Sequence, residues 1–439
     1  MAVDGPRVVL FTGKGGVGKT TTAAACAVRA ARSGVRTLVM STDAAHSLGD
    51  ALGHDLRSAS TDPGSPVAVE AGLHALQVSA THTLDRSWRV VQDYLLQVLA
   101  TLGIDPVVAE ELTSLPGAEE VAALLELRHR VESGDWDLVV VDCAPTAETL
   151  RLLALPEALA WHLERLLPGQ RGLLRTLRPA AAAAAGMPLP SAEVAGAVAG
   201  WYRQMRAVQA LLIGPTASVR LVLTPERVVI AEARRTWTSL SLYGFVVDGV
   251  VVNRVIPPAR GGRGDAWRRA WTAAQDAGLA EVADSFAGMP AVQVPYLPGE
   301  PVGPDALDAL ADAVTRWGPA PADAADPFAV LTPVSQQGLR VRRQGDGYRL
   351  TLPLPLVAAD EVDLKRRDAE LLVAVGDHRR VLSLPAVLQR CGVRRARVVD
   401  GTLVVTFDPD PSLWPASPER RPTADHHDAG PADGRRRGA

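Results

Sequence analysis

The residues with the clearest chemistry form a short loop rich in glycine and lysine, GKGGVGKT at positions 13–20. The loop lies between an apolar run, VVLFT, and an alanine-rich stretch with helical character. Glycines at this spacing let backbone N–H groups turn towards phosphate oxygens, and the following helix adds the positive end of its dipole. The pattern G-x-x-x-x-G-K-[ST] therefore predicts a cradle for a nucleoside triphosphate.

Two side chains of this loop have specific expected roles. Lys19 would reach the β- and γ-phosphates, and the hydroxyl of Thr20 would ligate Mg²⁺, so ATP and Mg²⁺ are the predicted ligands. The main chain around them would hold the phosphate oxygens. The predicted nucleotide-binding residues of the loop are Gly13, Lys14, Gly15, Gly16, Val17, Gly18, Lys19, Thr20 and Thr21.

The same letters also satisfy G-x-G-x-x-G, the dinucleotide-binding fingerprint. That fingerprint has no use for a Lys-Thr pair directly after its last glycine, and it requires an acidic residue about 20 positions further on. The next acidic residue in this chain is Asp43. Because the flanking strand and helix are those that a triphosphate loop requires, the triphosphate interpretation is favoured.

Two acidic residues follow apolar runs that predict further strands. Asp142 ends LVVVD, a position from which a carboxylate holds Mg²⁺, usually through water. Asp43 follows TLVMST, and it would orient or deprotonate the attacking water. Ligands bind at the carboxyl ends of the strands in open α/β sheets, so both acids are expected beside the loop. The alternative for each is a solvated loop acid.

Short apolar runs alternate with Ala- and Leu-rich helical stretches up to about residue 300. This alternation predicts a doubly wound, mostly parallel α/β sheet with helices on both faces. Two segments with apolar residues at helical spacing, Leu84–Leu102 and Val194–Leu212, predict long helices in an inserted helical subdomain at about 84–213. The predicted strands are Val8–Thr12, Thr37–Ser41, Leu76–Ser79, Leu138–Asp142, Arg220–Leu223, Val246–Asn253 and Val292–Pro295.

The composition changes at residues 317–334, WGPAPADAADPFAVLTPV, which predicts a linker. After it the apolar period becomes two, typical of a small antiparallel β domain at 335–408. The nucleotide-binding domain would therefore occupy 1–316. Residues 409–439 are rich in Pro, Asp, His and Arg, so this tail is expected to be disordered.

Charge and composition narrow the classes of function. A net charge of −3 argues against a general nucleic-acid binder. No apolar run reaches the roughly 18 residues that span a bilayer, and the start lacks the apolar core of a signal peptide. We therefore expect a cytoplasmic protein that meets membranes only through a client or a membrane partner. The three cysteines, Cys26, Cys143 and Cys391, lie far apart and offer no zinc or iron–sulfur framework.

Three runs carry a resemblance to a known family: KGGVGKTT at 14–21, STDAAHS at 41–47 and DCAPTAETLR at 142–151. Shorter matches lie at 224–226, 253–255 and 294–300. Over about residues 7–315 the chain resembles the arsenite-pump ATPases and their eukaryotic relatives. Those relatives are the guided-entry ATPases, which deliver tail-anchored membrane proteins.

The resemblance implies a role for each matching residue. Lys14 would be the signature lysine, which reaches across a homodimer to the partner's nucleotide. Asp43 would lie in the first switch, Asp142 would open the second, and Asn253 and Pro295 would line the adenine pocket. A cation near the bridging oxygen stabilises charge on the leaving group. The resemblance thus implies that Lys14, Lys19 and Asp43 are catalytic, and that ATP hydrolysis depends on closure of a homodimer or of a heterodimer with a paralogue.

Some positions depart from the family pattern. Ala44 replaces a proline in the first switch, and Ala147-Glu148 replaces Gly-His in the second. The zinc-binding CxxC of the eukaryotic targeting factors is missing, and the chain has one such loop rather than the pump's two. The C-terminal β domain resembles the α-crystallin-like domain appended to some bacterial members, and it shows no catalytic constellation.

The leading hypothesis is a dimeric Mg²⁺-dependent ATPase whose nucleotide state gates the binding of a protein client, as in a targeting factor or chaperone. The alternative is the energising subunit of a metalloid exporter, which would need soft thiolate ligands close together. A partitioning ATPase that binds DNA or membrane would need a basic surface or an amphipathic C-terminal helix. The sequence indicates neither.

Overall fold

The computed structural model of the chain describes residues 5–42, 47–56, 64–78, 86–101, 118–143, 191–258, 266–317 and 338–413. Asp43, Ala44 and the Ala147-Glu148 pair lie outside the described residues.

Up to residue 317 the described strands form one nine-stranded sheet. Its strands are β1 Arg7–Thr12, β2 Thr37–Ser41, β3 Val67–Glu70, β4 Leu73–Gln77, β5 Leu138–Asp142, β6 Ala217–Leu223, β7 Val247–Val255, β8 Ala291–Pro295 and β9 Thr315–Trp317. Their order is β3-β4-β2-β5-β1-β6-β7-β8-β9. The central strands, β4-β2-β5-β1-β6-β7-β8, run parallel to one another. Each edge strand is antiparallel to its neighbour, β3 to β4 and β9 to β8.

Helices cover both faces of this sheet. They are α1 Lys19–Arg32, α2 Ser47–Leu52, α3 Arg86–Thr101, α4 Ala118–Glu132, α5 Ala192–Leu212, α6 Arg227–Tyr243, α7 Ala266–Ser285 and α8 Pro304–Ala313. Residues of α1, α2 and α8 share one apolar cluster with the sheet, while residues of α4 to α7 share another on the opposite face. Helix α3 packs against α5.

The strand sequences explain why two layers of helices are needed. In β1, Val8 and Leu10 are buried in one cluster, whereas Val9 and Phe11 are buried in the other. Successive side chains of a strand point to opposite faces, so a strand that is apolar throughout must be covered on both sides. The predicted fold class, a doubly wound and mostly parallel sheet, is confirmed.

Beyond residue 338 two antiparallel sheets pack around a separate apolar cluster. The strands are β10 Arg340–Gln344, β11 Gly347–Pro353, β12 Val362–Arg367, β13 Glu370–Val375, β14 His378–Ser383, β15 Cys391–Val399 and β16 Thr402–Pro409, with a short helix α9 at Ala386–Gln389. One sheet has the order β10-β11-β16-β15 and the other β12-β13-β14. The predicted antiparallel β-sandwich is confirmed.

The sandwich docks on the end of helix α6. Leu242 of α6 is fully buried in the apolar cluster of the sandwich. The hydroxyl of Thr238 donates a hydrogen bond to the Pro355 carbonyl (2.8 Å), and that of Tyr243 donates to the Arg379 carbonyl (3.4 Å). The two domains therefore share one packed interface, centred on α6.

Some elements differ from what the sequence patterns indicate. The sequence patterns do not indicate three of the strands, because each is short or polar and shows little periodicity. These are the edge strands β3 and β9 and the first sandwich strand, β10. Trp317, placed in the linker by its Pro/Ala-rich surroundings, is instead paired with Ala291 across β8 and β9. Pro409, placed in the tail, ends β16 opposite Cys391. Residues 414–439 lie outside the described part.

The apolar stripe predicted on the second long helix is a core stripe. Met205, Val208 and Leu212 of α5 are buried in the cluster beneath the sheet, and Trp201 packs against it. A charge at Met205 would therefore disturb folding rather than a docking surface. Among the described helices, none is both long enough and apolar enough to cross a membrane.

Candidate nucleotide site

The carboxyl ends of three neighbouring strands meet where the glycine-rich loop begins. Phe11 of β1 is paired with Asp142 of β5, and Asp142 is also paired with Ser41 of β2. The N–H of Cys143 donates to the Phe11 carbonyl (3.0 Å), and the N–H of Thr42 donates to the Asp142 carbonyl (3.0 Å). This ladder fixes Asp142 beside the loop, at the edge where open α/β sheets bind ligands.

Oxygen atoms of four side chains converge on this edge. The hydroxyl of Thr20, in the first turn of α1, donates a hydrogen bond to Asp142 Oδ2 (2.7 Å). The Ser41 hydroxyl donates to the same carboxylate oxygen (3.2 Å), and Ser47 Oγ lies 3.1 Å from Thr20 Oγ1. Hydroxyl and carboxylate oxygens are hard ligands of the type that Mg²⁺ prefers, so these residues fit a magnesium site.

The two lysines of the loop have different surroundings. Lys19 is buried, with 6% of its surface exposed, and its Nζ donates a hydrogen bond to the Lys14 carbonyl (3.3 Å). The side chain of Lys14 is 40% exposed, and its Nζ lies 3.8 Å from a carboxylate oxygen of Glu232 on helix α6. Lys19 therefore belongs to the cradle itself, whereas Lys14 is accessible from outside the chain.

The loop has its shape because side chains are excluded from it. Gly18, directly before α1, has a φ of 92°, which side-chain-bearing residues rarely adopt. A Cβ atom at Gly18 would lie 2.2 Å from Asn253 Nδ2, and one at Gly13 would lie 2.0 Å from the Val222 carbonyl oxygen. Gly15 and Gly16 are exposed, so their main chain is open to a ligand at the positive end of α1.

Asn253 holds the loop directly. Its Nδ2 donates a hydrogen bond to the Val17 carbonyl (2.7 Å), and its Oδ1 accepts one from the Arg254 N–H (2.8 Å). Pro295 ends the neighbouring strand β8, where it is paired with Val255. Both residues thus lie at the ligand-binding edge of the sheet, and their contact with adenine stays a prediction.

The structure brings together the loop, Thr20, Asp142 and Asn253, while Asp43 lies outside the described residues. Sequence reasoning gave no role to Ser41, Ser47 or Glu232. Ser41 ends a buried strand at the edge that carries Asp142, which is a signal that could have identified it. Glu232 carries no such signal, because only the packing of α6 places it near the loop.

The three cysteines are buried in three different apolar clusters. Cys143 lies on one face of the large sheet, Cys26 on the other, and Cys391 in the β-sandwich. Burial, followed by the charge of Asp142, raises the pKa of the Cys143 thiol to about 12. Cys143 is therefore a protonated core residue at neutral pH, and the three thiols do not form a common ligand set.

Comparison with known proteins agrees with this geometry. Residues 6–316 match the family model described as anion-transporting ATPase. The chain belongs to this ATPase family. Residues 345–407 match a second model, described as the HSP20-like domain found in ArsA. The resemblance of both domains is thereby confirmed, and the protein is an ATPase.

Relatives of this ATPase differ in their names. An uncharacterized protein of Streptomyces coelicolor is 38% identical over 93% of this chain and 99% of its own length. A protein of Chlorobaculum tepidum, provisionally named an arsenical pump-driving ATPase, is 32% identical over 92% of this chain and 96% of its own. The ATPase ASNA1 homolog 2 of Paramecium tetraurelia is 32% identical over 36% of this chain and 46% of its own. These names leave open the process that this ATPase drives.

Proposed function

We propose that this ATPase hydrolyses Mg·ATP as a homodimer and that its nucleotide state gates the binding of a protein client. The observation that carries the proposal is the different placement of the two loop lysines. Lys19 is buried inside the cradle, and Lys14 is exposed beside it. A site complete within one chain would have little use for a second, outward lysine.

The hydrolytic step follows from the positions of the side chains. The loop N–H groups and Lys19 would hold the β- and γ-phosphates, and Thr20 and Asp142 would hold Mg²⁺. When bound, the ion would offset the negative charge that develops on the phosphate oxygens. Asp43 would orient the water that displaces ADP from the γ-phosphoryl group, and it would accept a proton from that water. Lys14 of a second chain would stabilise charge on the leaving group.

The exposed surface near the nucleotide edge supports a protein partner. Trp267 and Trp271 of α7 are 65% and 52% exposed, with ring centroids 5.4 Å apart. The side chain of Gln275, on the same helix, accepts a hydrogen bond from the Ile256 N–H (2.6 Å) and donates one to the Ile256 carbonyl (3.1 Å). Ile256 follows Asn253 in the chain by three residues. Exposed tryptophans are typical anchors of protein interfaces, so helix α7 offers a client surface fastened near the nucleotide.

The placement of the cysteines favours a protein client over a metalloid. A metalloid pump subunit needs soft thiolates close together, and here they lie in three separate clusters. The metalloid alternative is favoured by the names of several relatives, among them the Chlorobaculum tepidum protein. Arsenite sensitivity of the ATP turnover separates the two functions.

The direct test is nucleotide-dependent capture. Asp43→Asn should bind ATP and hold it unhydrolysed, so proteins should co-purify with it in ATP and dissociate in ADP. Lys19→Ala should capture nothing because it cannot hold the phosphates. Trp267→Gln/Trp271→Gln in the Asp43→Asn background should lose capture, while the matched control Leu413→Gln, on an exposed residue of the sandwich, should keep it.

Two results would contradict this proposal. Identical captured proteins with ATP and ADP would show that the nucleotide does not gate binding. The second is that only a second copy of this chain co-purifies with the Asp43→Asn variant, and that this copy is lost when Trp267 and Trp271 are replaced. The tryptophan pair would then be a contact between subunits rather than a client surface.

A further inference from the structure

One face of the β-sandwich carries a regular array of arginines. In the sheet β10-β11-β16-β15, Arg342 is paired with Arg349, Arg349 with Thr406, and Thr406 with Arg395. Directly opposed residues in an antiparallel sheet lie on the same face. Three arginines therefore form one row across the four strands.

A second row lies beside the first. Arg340 is paired with Thr351, Thr351 with Val404, and Val404 with Arg397. It is shifted by two residues along each strand, so its members lie on the same face. We call this surface the arginine face, defined by Arg340, Arg342, Arg349, Arg395 and Arg397.

These guanidinium groups are not neutralised within the described part of the chain. No described carboxylate lies within 4.0 Å of any arginine of the face, whereas the neighbouring Arg394 lies 3.8 Å from Asp408. The Nε atom of Arg349 is buried and has no hydrogen-bond partner among the described residues. Like charges opposed across strands are destabilising, and a buried donor without a partner is costly. Both features indicate an anionic ligand.

A recess in the arginine face is a candidate binding site for this anionic ligand. A cavity of about 500 Å³ is lined by Arg349, Arg395 and Arg397, together with Arg394. The ladder between β15 and β16 shifts register between Val393 and Arg395, and Arg394, which lies at this bulge, also lines the recess. Four arginines thus line a concave site, and the three that belong to the arginine face have no carboxylate partner among the described residues.

From this arrangement we propose that the arginine face binds an extended acidic segment of a partner protein, with carboxylates at every second residue. Arg395 and Arg397 are two residues apart on one strand, a distance of about 7 Å, and alternate residues of an extended peptide have the same spacing. Arg349 and Arg395 flank β16, about 10 Å apart. Each planar guanidinium can take one carboxylate with two parallel hydrogen bonds.

Other polyanions fit the surface less well. Asp346 and Asp408 line the recess. A phosphate backbone or an anionic membrane, charged on every unit, would meet these two carboxylates, whereas a peptide with carboxylates at alternate residues can place an uncharged residue opposite each of them. Between the arginines the face carries Thr351, Val404 and Thr406. Two aromatic residues line the recess, but Phe407 is fully buried and Tyr348 packs against the apolar cluster of the sandwich, so both rings belong to the core rather than to a platform for stacking bases. The recess is concave, whereas a bilayer surface is flat.

The experiment measures binding of a fluorescein-labelled Glu-Thr repeat peptide of about ten residues to the full-length protein by fluorescence anisotropy. A Gln-Thr repeat of equal length is the peptide control. Arg395→Gln/Arg397→Gln should weaken binding of the acidic peptide about tenfold, since each of two exposed charge pairs is worth up to about fivefold. Arg343→Gln/Arg367→Gln, which removes equal charge from exposed positions outside the face, should change it less than about twofold.

ATP turnover should be the same in both double variants, because neither touches the nucleotide site. The peptide test does not depend on nucleotide-gated client binding, so the two proposals can fail independently. Unchanged thermal midpoints confirm folding, and the single variants Arg395→Gln and Arg397→Gln serve if a double variant is unstable. Equal affinity for the two peptides, or equal losses in the two double variants, would overturn the proposal. The proposal would also be overturned if the protein bound phosphatidylserine vesicles or a single-stranded oligonucleotide through the same arginines and did not bind the acidic peptide.

Discussion

The guanidinium group of Arg380 donates a hydrogen bond of 2.6 Å to the main-chain carbonyl of Leu242, near the C-terminal end of helix α6. The last carbonyls of a helix lack partners within it, and a cation there also interacts favourably with the helix dipole. Glu232, about 15 Å back along the same helix, pairs with Lys14 of the nucleotide loop. Helix α6 therefore connects the β-sandwich to the loop.

We expect Arg380→Met to destabilise the docking of the β-sandwich. The buried Leu242 carbonyl would lose its charged donor, which typically costs about 1–3 kcal/mol. Limited proteolysis and urea unfolding should show earlier cleavage and a lower midpoint. The control is Arg379→Met, because the Arg379 side chain is exposed, and the carbonyl that accepts the Tyr243 hydrogen bond is unchanged by the substitution. Equal effects of the two substitutions would show that the contact is not specific to Arg380.

Lys14→Ala should bind ATP normally but hydrolyse it slowly, because the loss of charge stabilisation at a leaving group costs about 10²–10³-fold in rate. Mixing this variant with an excess of Asp43→Asn subunits should restore part of the activity, since one composite site then regains both groups. No restoration in samples where mixed dimers are demonstrated would favour a site complete within one chain.

Glu232→Gln tests whether the Lys14 pair holds that lysine in its own subunit. The pair is partly exposed, so its loss should leave stability nearly unchanged. If Lys14 must leave Glu232 to reach a partner, the variant should reach half-maximal turnover at a lower protein concentration than the wild type. The measurement is ATP turnover against protein concentration. An unchanged curve would show that the pair does not compete with dimer closure.

Asp142→Asn should raise the Mg²⁺ concentration needed for half-maximal turnover and lower the maximal rate. An amide holds a cation less well than a carboxylate, and it is a poorer acceptor for the Thr20 hydroxyl. The matched control is Ser41→Ala, which removes a hydroxyl contact to the Asp142 carboxylate that is longer than the one from Thr20, at 3.2 Å rather than 2.7 Å. A larger effect on Mg²⁺ dependence in Ser41→Ala would place the ion elsewhere.

The high pKa of Cys143 predicts both its reactivity and a pH dependence. Since the pKa rises from 9.0 to about 12 on burial, Cys143 should resist alkylation at pH 8 in the native protein. The raised pKa contributes stability that is fully present below pH 9 and is lost as the pH rises from 9 to about 12. Urea unfolding across this range should show a shallower loss in Cys143→Ala, and an identical slope would contradict the burial assignment.

Turnover should also be indifferent to arsenite and antimonite. It should survive replacement of Cys26, Cys143 and Cys391 by Ala, after a check of folding. A several-fold stimulation by either metalloid that vanishes in the cysteine-free protein would favour the exporter function over the client.

The local pattern of the chain determined the nucleotide loop, the strands that flank it and the fold class. GKGGVGKT has few conformations compatible with its glycines and only one common use, and strands that are apolar throughout must be covered on both faces. Asp142 could be placed from sequence because the carboxyl ends of parallel strands share one edge of the sheet. These features depend on contacts between near neighbours or on strand direction.

Only the tertiary structure decided the contacts between segments that are distant in the sequence. The pairing of Lys14 with Glu232, and of Arg380 with Leu242, depends on how α6 packs against the sheet and the sandwich. The arginine face depends on the register of four strands, and a shift of one residue would send its arginines to the other face. The residues can be read from the sequence, but their contacts depend on helix packing and strand register, which the local pattern does not determine.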